Sequence, residues 1–252
     1  MKMKATVAYR GSGFHGFAIN EDVRTVAGDI EAALAKVVRS PITITCAGRT
    51  DKGVHGKGQV ISFDVPDTFD LDPGRLTRSI NQLCRPDIVL RDTSVAAPDF
   101  DARFSATWRR YRYQVLNSPD ADPLRYDTTW HVPETLDLAA MNEAARPLVG
   151  THDFASFCRR PKAAPGKPEH SLVRDVLAAE WREGADDVVE FWIQATSFCH
   201  QMVRSIVGTT VDVGLGRIDA DAMPDILDAK DRDAAGRVAP PEGLTLWQVG
   251  YR

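Results

Sequence analysis

Lys4-Ala5-Thr6-Val7-Ala8-Tyr9-Arg10-Gly11-Ser12-Gly13-Phe14-His15-Gly16 is the stretch on which the fold assignment turns. Its glycines spell G-x-G-x-x-G after a strand, the spacing of a dinucleotide-binding turn. In that fold the strand is parallel, covered on both faces, and reads as a continuous apolar run. Here the run alternates: Ala5, Val7 and Tyr9 share one face, and Lys4, Thr6 and Arg10 share the other. Phe17 to Arg24 has no helical stripe, so no helix opens at Gly16. Neither Glu21 nor Glu31 stands where an acid would close the βαβ unit. The alternation favours a half-buried strand over a nucleotide-cofactor oxidoreductase.

Working outward, Thr25 to Val38 places Val26, Ile30, Ala33, Leu34 and Val37 at helical spacing, with Thr25 as cap. Pro41 to Cys46 and Gln59 to Val65 are β-branched runs. A second helix is expected over Pro73 to Leu83 and a strand over Ile88 to Val95. The second half follows the same order with longer insertions. Trp108 to Leu116 reads as a strand, Leu138 to Val149 as a helix, and Leu172 to Trp181 with Val188 to Thr196 as a strand pair. Phe198 to Gly214 reads as a helix with an apolar stripe of Met202, Val203, Ile206, Val207 and Thr210, and Leu244 to Tyr251 as a closing strand. This order predicts an α+β protein of two ferredoxin-like, split βαβ halves with a mixed, mainly antiparallel sheet. The boundary is expected near residues 105–107, giving halves 1–106 and 107–252.

The 252 residues suffice for one large domain or two modest ones. Hydrophobic content of 43% and charged content of 26% describe an ordinary globular chain. No apolar run is long enough to cross a membrane, and the start carries no signal peptide, so a cytoplasmic protein is expected. Cys46, Cys84, Cys158 and Cys199 form no C-x-x-C pair and read as buried, reduced thiols. No metal is required. The net charge of −4 is unevenly spread. Acid gathers in Asp64 to Asp72 and Asp219 to Asp233, while base gathers in Arg103 to Arg112 and from Arg159 to Arg174. Fields are local at physiological salt, so this pattern permits an RNA partner. Arg159 to His170 lacks periodicity and reads as a loop, either a spacer or a flap ordered by RNA.

Between the two β-branched runs lies Ala47-Gly48-Arg49-Thr50-Asp51-Lys52-Gly53-Val54-His55-Gly56. Its glycines permit positive φ and close backbone approach. Asp51 stands beside Arg49 and Lys52 with no carboxylate neighbour, which argues against two-carboxylate glycoside hydrolysis. One reading is a turn with a surface ion pair. The other is a single nucleophile or base acting on an anionic substrate.

The decapeptide resembles the signature A-G-R-T-D-x-G-V-H of the tRNA pseudouridine synthase A family, and the register continues through Gly58-Gln59-Val60. Tyr9 to Asn20 is similar to the family's opening Y-x-G-x-x-F-x-G-W-Q, with Arg10 in place of Asp and Phe17-Ala18 in place of Trp-Gln. Arg103-Phe104-Ser105-Ala106 and Arg109 to Tyr113 resemble A-R-F-S-A and R-x-Y-R-Y, with Asp101 where many relatives have His. Met202 to Gly208 matches M-V-R-x-I-V-G.

The resemblance implies that Asp51 is the essential catalytic residue and that Tyr111 packs on the target base. It also implies that Arg204 pairs with the aspartate; Arg49 is the alternative, or serves phosphate binding or base displacement. Taken without the resemblance, Arg204 is a polar residue on a solvated helix face, and Tyr113 is a core residue. His15, His55, His152 and His170 have no organised partners in the sequence and receive no catalytic role. The family implies uridine-to-pseudouridine isomerisation in the tRNA anticodon stem-loop, around positions 38–40. It further implies an active cleft between the halves, no cofactor, and a homodimer that shares the tRNA. The competing reading is a non-catalytic tRNA-binding or chaperone module using the same basic and aromatic surface.

Overall fold

The structure is a computed structural model that describes residues 1–69, 72–160 and 170–252. Most of the expected loop between Arg159 and His170 lies outside the described residues. In chain order the elements are β1 (Lys2–Tyr9), α1 (Val26–Val38), β2 (Ile44–Cys46), β3 (His55–Asp64), α2 (Pro73–Cys84) and β4 (Ile88–Val95). Then come β5 (Ala106–Leu116), β6 (Trp130–His131), α3 (Leu138–Ala145), β7 (Gly150–Asp153), β8 (Val173–Glu183) and β9 (Val188–Ala195). The chain finishes with α4 (Met202–Gly214), α5 (Met223–Ala229) and β10 (Leu244–Tyr251).

Two compact units emerge, one of Met1–Arg109 with Thr245–Arg252 and one of Arg110–Leu244. In the first unit, β1 lies between β4 and β3, antiparallel to both, and β2 adds antiparallel to the far end of β3. The spatial order 4-1-3-2 is that of a split βαβ fold, so the alternation read from Lys4 to Arg10 had the right consequence. Ala5, Val7 and Tyr9 are buried together with Met3, and helices α1 and α2 supply Ile30, Leu34, Leu76 and Ile80 to the same core. The beginning of β3 also pairs with β10 in parallel, Thr245 opposite His55 and Leu246 opposite Gly56.

Local chemistry explains the helix ends. Thr25 is extended, and its hydroxyl accepts from the Gly28 amide at 3.2 Å, satisfying one of the orphan donors of α1. Asp72 does the same for α2 with the amides of Gly74 and Arg75, ahead of Pro73 at the first helical position. Asn81 then ties α2 to β4, donating to the Leu90 carbonyl at 2.9 Å and accepting its amide at 2.7 Å.

In the second unit the strand order is β5-β9-β8-β7, with the short β6 alongside β5 in parallel. Asn142 on α3 brackets Trp181 of β8 as Asn81 brackets Leu90. Helix α4 departs from the expected amphipathic helix. Of its residues all but Arg204 are buried, so it is an internal helix rather than one with a solvated face. It also begins at Met202, four residues later than the sequence reading, because Gln201 takes φ +65°.

Cys158 and Cys199 correct the expectation of four reduced thiols. They form a disulfide, with Cα atoms 5.8 Å apart, that links positions 41 residues apart in sequence. No local spacing announces such a pair, since only the tertiary path brings the two together. Cys46 and Cys84 are free thiols.

Replacing Thr25 by Ala removes the α1 cap and should destabilise the protein by about 1 kcal/mol. Urea unfolding measures this, and an unshifted midpoint would show that the cap carries no weight.

Candidate active site

Asp51 sits on the connection between β2 and β3. The turn closes through the Val54 amide donating to the Asp51 carbonyl at 3.2 Å, and Gly53 at its third position has φ +83°. That conformation favours glycine, as the sequence reading anticipated. Asp51 is half-buried, whereas Arg49 and Lys52 are exposed on either side of it. Thr50 between them is buried, its hydroxyl 2.8 Å from the Tyr9 hydroxyl. The loop thus anchors by Thr50 and presents its charged neighbours outward.

The opening element forms the floor of this loop. The Phe17 amide donates to the Thr50 carbonyl at 3.1 Å, and the Gly11 amide donates to His55 Nδ1 at 3.0 Å. The glycines that mimic a nucleotide fingerprint have a steric purpose here. A Cβ on Gly11 would lie 2.0 Å from the Val54 carbonyl oxygen, and one on Gly16 would lie 3.0 Å from the Thr50 oxygen at φ +101°. Gly13 meets only Arg24 Nη1 at 3.6 Å, an ordinary contact. Gly56 passes under the Tyr9 ring, where a Cβ would come within 2.3 Å. His55 therefore corrects the expectation that it lacks an organised partner. It is buried, and its Nδ1 accepts from a backbone amide, which leaves Nε2 to carry the proton in the neutral ring. His152 likewise bonds the Val149 carbonyl through Nε2 at 3.2 Å.

Cys46, just before the loop, reports its electrostatics. Burial pushes its thiol up to about 11, while the guanidinium groups of Arg49 and Arg103 pull in the opposite direction. Asp101 accepts from the Arg103 and Phe104 amides at 2.8 and 2.9 Å. Its place is explained by that turn.

In the second unit, Tyr111 and Tyr113 point from β5 to the same side, both buried. Tyr113 is a core residue. Its hydroxyl donates to the Pro240 carbonyl at 2.8 Å, its ring covers Gly243, and burial holds its phenol well above the usual range. Tyr111 is 8% exposed and meets Phe198 edge-on, centroids 5.0 Å apart. Arg204 donates through Nε to the Ala239 carbonyl at 2.7 Å, and the Ala239 amide returns a bond to the Arg204 carbonyl at 3.0 Å. Gly208, one turn on, lets the Arg237 carbonyl approach where a Cβ would stand 1.8 Å away. Arg204 is therefore fastened to the segment before β10, with a lone half-buried position on an otherwise buried helix.

A family model described as tRNA pseudouridine synthase matches residues 144–252. Over its whole length the chain is 39% identical to tRNA pseudouridine synthase A of Bacillus subtilis, covering 99% of that protein. The chain belongs to the tRNA pseudouridine synthase A family. Similar proteins of the same name occur in Geobacillus, 40% identical over 99% of this chain and 98% of the relative, and in Gluconobacter oxydans, 40% identical over 97% and 88%. Family membership sets aside the nucleotide-cofactor reading of Gly11 to Gly16. It makes the enzyme an isomerase rather than an oxidoreductase.

Gly11→Ala should destabilise the enzyme by about 1–3 kcal/mol through overpacking against Val54. Gly13→Ala should leave the denaturant midpoint nearly unchanged. Equal effects of the two variants would refute the steric account.

Proposed function

We propose that this enzyme converts uridine to pseudouridine in the anticodon stem-loop of tRNA, around positions 38–40, with Asp51 as its essential catalytic residue. The observation that carries the reading is the Asp51 loop: a rigidly floored turn, flanked by exposed cations, in a chain that is about 40% identical throughout to proteins named tRNA pseudouridine synthase A.

The reaction needs one ionised carboxylate. The C1′–N1 bond breaks, the uracil turns, and C5 bonds to C1′; the C5 proton leaves and N1 gains one, so the product is an isomer. Asp51 either attacks C1′ or removes the C2′ proton, and both routes need its carboxylate aimed at the sugar. The residues 1–106 carry this aspartate, and 107–252 complete the substrate site. Tyr111 packs on the uracil and Arg204 pairs with the Asp51 carboxylate; Arg49 is the alternative partner, or serves phosphate binding or base displacement. Extruding the base from its stack costs a few kcal/mol, least in a loop or near a helix end. Packing on an aromatic ring returns roughly 1–3 kcal/mol per base. A homodimer that shares one tRNA belongs to the same reading.

Asp51→Ala should abolish tritium release from tRNA carrying 5-³H-uridine while leaving tRNA binding nearly intact; full turnover would remove Asp51 from the chemistry. Tyr111→Phe should lose little and Tyr111→Ala much, since the ring and not the hydroxyl packs on the base. Equal losses would assign the role to the hydroxyl. Carbodiimide mapping of tRNA before and after incubation tests the reaction and its position together. New reverse-transcription stops at 38–40 support the proposal, and their absence leaves a non-catalytic tRNA-binding module.

A further inference from the structure

The chain enters the Asp51 loop through Ala47 and Gly48, and both carbonyl groups are gripped by side chains. Arg109 donates to the Ala47 oxygen from Nε at 3.2 Å and from Nη2 at 2.8 Å. The same guanidinium reaches the Ala106 oxygen from Nη1 at 3.2 Å and the Arg103 oxygen from Nη2 at 2.7 Å. Gln59, wholly buried on β3, donates from Nε2 to the Gly48 oxygen at 2.6 Å and accepts the Val60 amide at 3.2 Å. Successive carbonyls are thus fixed at the root of the turn that carries Asp51.

We propose that Arg109 and Gln59 are positioning residues that aim the Asp51 carboxylate by clamping the Ala47 and Gly48 carbonyls; the inference rests on Asp51 being the catalytic carboxylate. An arginine in a basic run of a tRNA-modifying enzyme is ordinarily read as a phosphate ligand. Arg109 instead turns its planar fork onto three carbonyl groups of its own chain, a pattern that only a rigid set of donors satisfies. Bonds with a charged donor are about twice as strong as neutral ones, so the root of the loop is stiff. Lysine keeps the charge but concentrates its donors at one point, and cannot span the three acceptors. Gln59 adds a neutral clamp one residue further along. Neither side chain makes the chemistry itself, so their loss acts on the orientation of Asp51 rather than on tRNA affinity.

The test compares Arg109→Lys, Gln59→Met and Asp51→Asn in the full chain by tritium release at varied tRNA concentration and varied salt. Arg109→Lys should lower kcat roughly 10- to 100-fold, the loss expected when a reacting group is slightly misplaced, with KM within about twofold. Its salt dependence of KM should match the parent enzyme, and backbone amides 48–54 should exchange hydrogen faster. A rise in KM with a shallower salt slope at constant kcat would make Arg109 a phosphate ligand and overturn the proposal. Unchanged kcat, or a loss matched by the unfolded fraction, overturns it as well. Should Arg109→Lys not fold, Gln59→Met carries the test: lowered kcat at constant KM is expected, and full kcat refutes the clamp. Full activity of Asp51→Asn sinks the catalytic reading itself. An inactive Asp51→Asn beside fully active Arg109→Lys and Gln59→Met sinks the clamp alone.

Discussion

The approach of the Gly11 backbone to the Val54 carbonyl is the constraint from which the architecture around Asp51 follows. At that distance no side chain fits on residue 11, so the opening element and the Asp51 loop pack backbone to backbone. The contact is extended by Gly16 against Thr50, Phe17 N to Thr50 O, and the pairing of Tyr9 and Thr50 hydroxyls. A loop normally costs conformational freedom to order, and charged catalytic groups on loops lose rate when they wander. Here the ordering is built into the fold, because β1 ends where the floor begins and β3 starts where the loop ends. The same residues that terminate two strands therefore hold the loop that carries Asp51.

Much of this fold was legible because the relevant signals are local. The alternation of β1, the Thr25 cap, the α2 start at Pro73 and the strand over Ile88 to Val95 were each expected from the sequence, and each is present. The start of β3 escaped because His55-Gly56-Lys57-Gly58 has poor strand propensity. Its glycines answer distant atoms: a Cβ on Gly56 would strike the Tyr9 ring, and one on Gly58 would lie 2.4 Å from the Trp247 carbonyl. Helix α3 ran short of its expected end because Pro147 turns the last stretch into a 3₁₀ segment over Arg146–Leu148. Strand β7 was missed since Gly150 at φ +116° opens four polar-leaning residues without a pattern. The short helix α5 lacks a side-chain cap, which removed the usual start signal.

The candidate site divides along the same line. Asp51 stood out through the glycines and cations in its own decapeptide, and Gly53 adopts the conformation those glycines suggested. His55 did not, because its partner is an amide 44 residues away in sequence. Arg109 and Gln59 fell inside the quoted motifs, yet nothing in the sequence pointed to their partners. A side chain that grips a backbone carbonyl pairs with a group every residue possesses, so its partner has no signature. The disulfide escaped for a related reason, in that cysteine spacing speaks only of neighbours.

The basic run from Arg103 to Arg112 shows how far charge counting reaches. Arg110 bonds Gln194 at 2.9 and 2.5 Å, while Arg112 meets Glu190 at 3.1 Å and Gln114 at 2.7 Å. Burial draws the Arg112 guanidinium below its ordinary range, against the opposing pull of Glu190. Among the four arginines only Arg103 is exposed. Clustered base in the sequence is thus not a row of waiting phosphate ligands. Arg109 grips the carbonyls of Ala47, Ala106 and Arg103, so bonds to its own chain fix its direction.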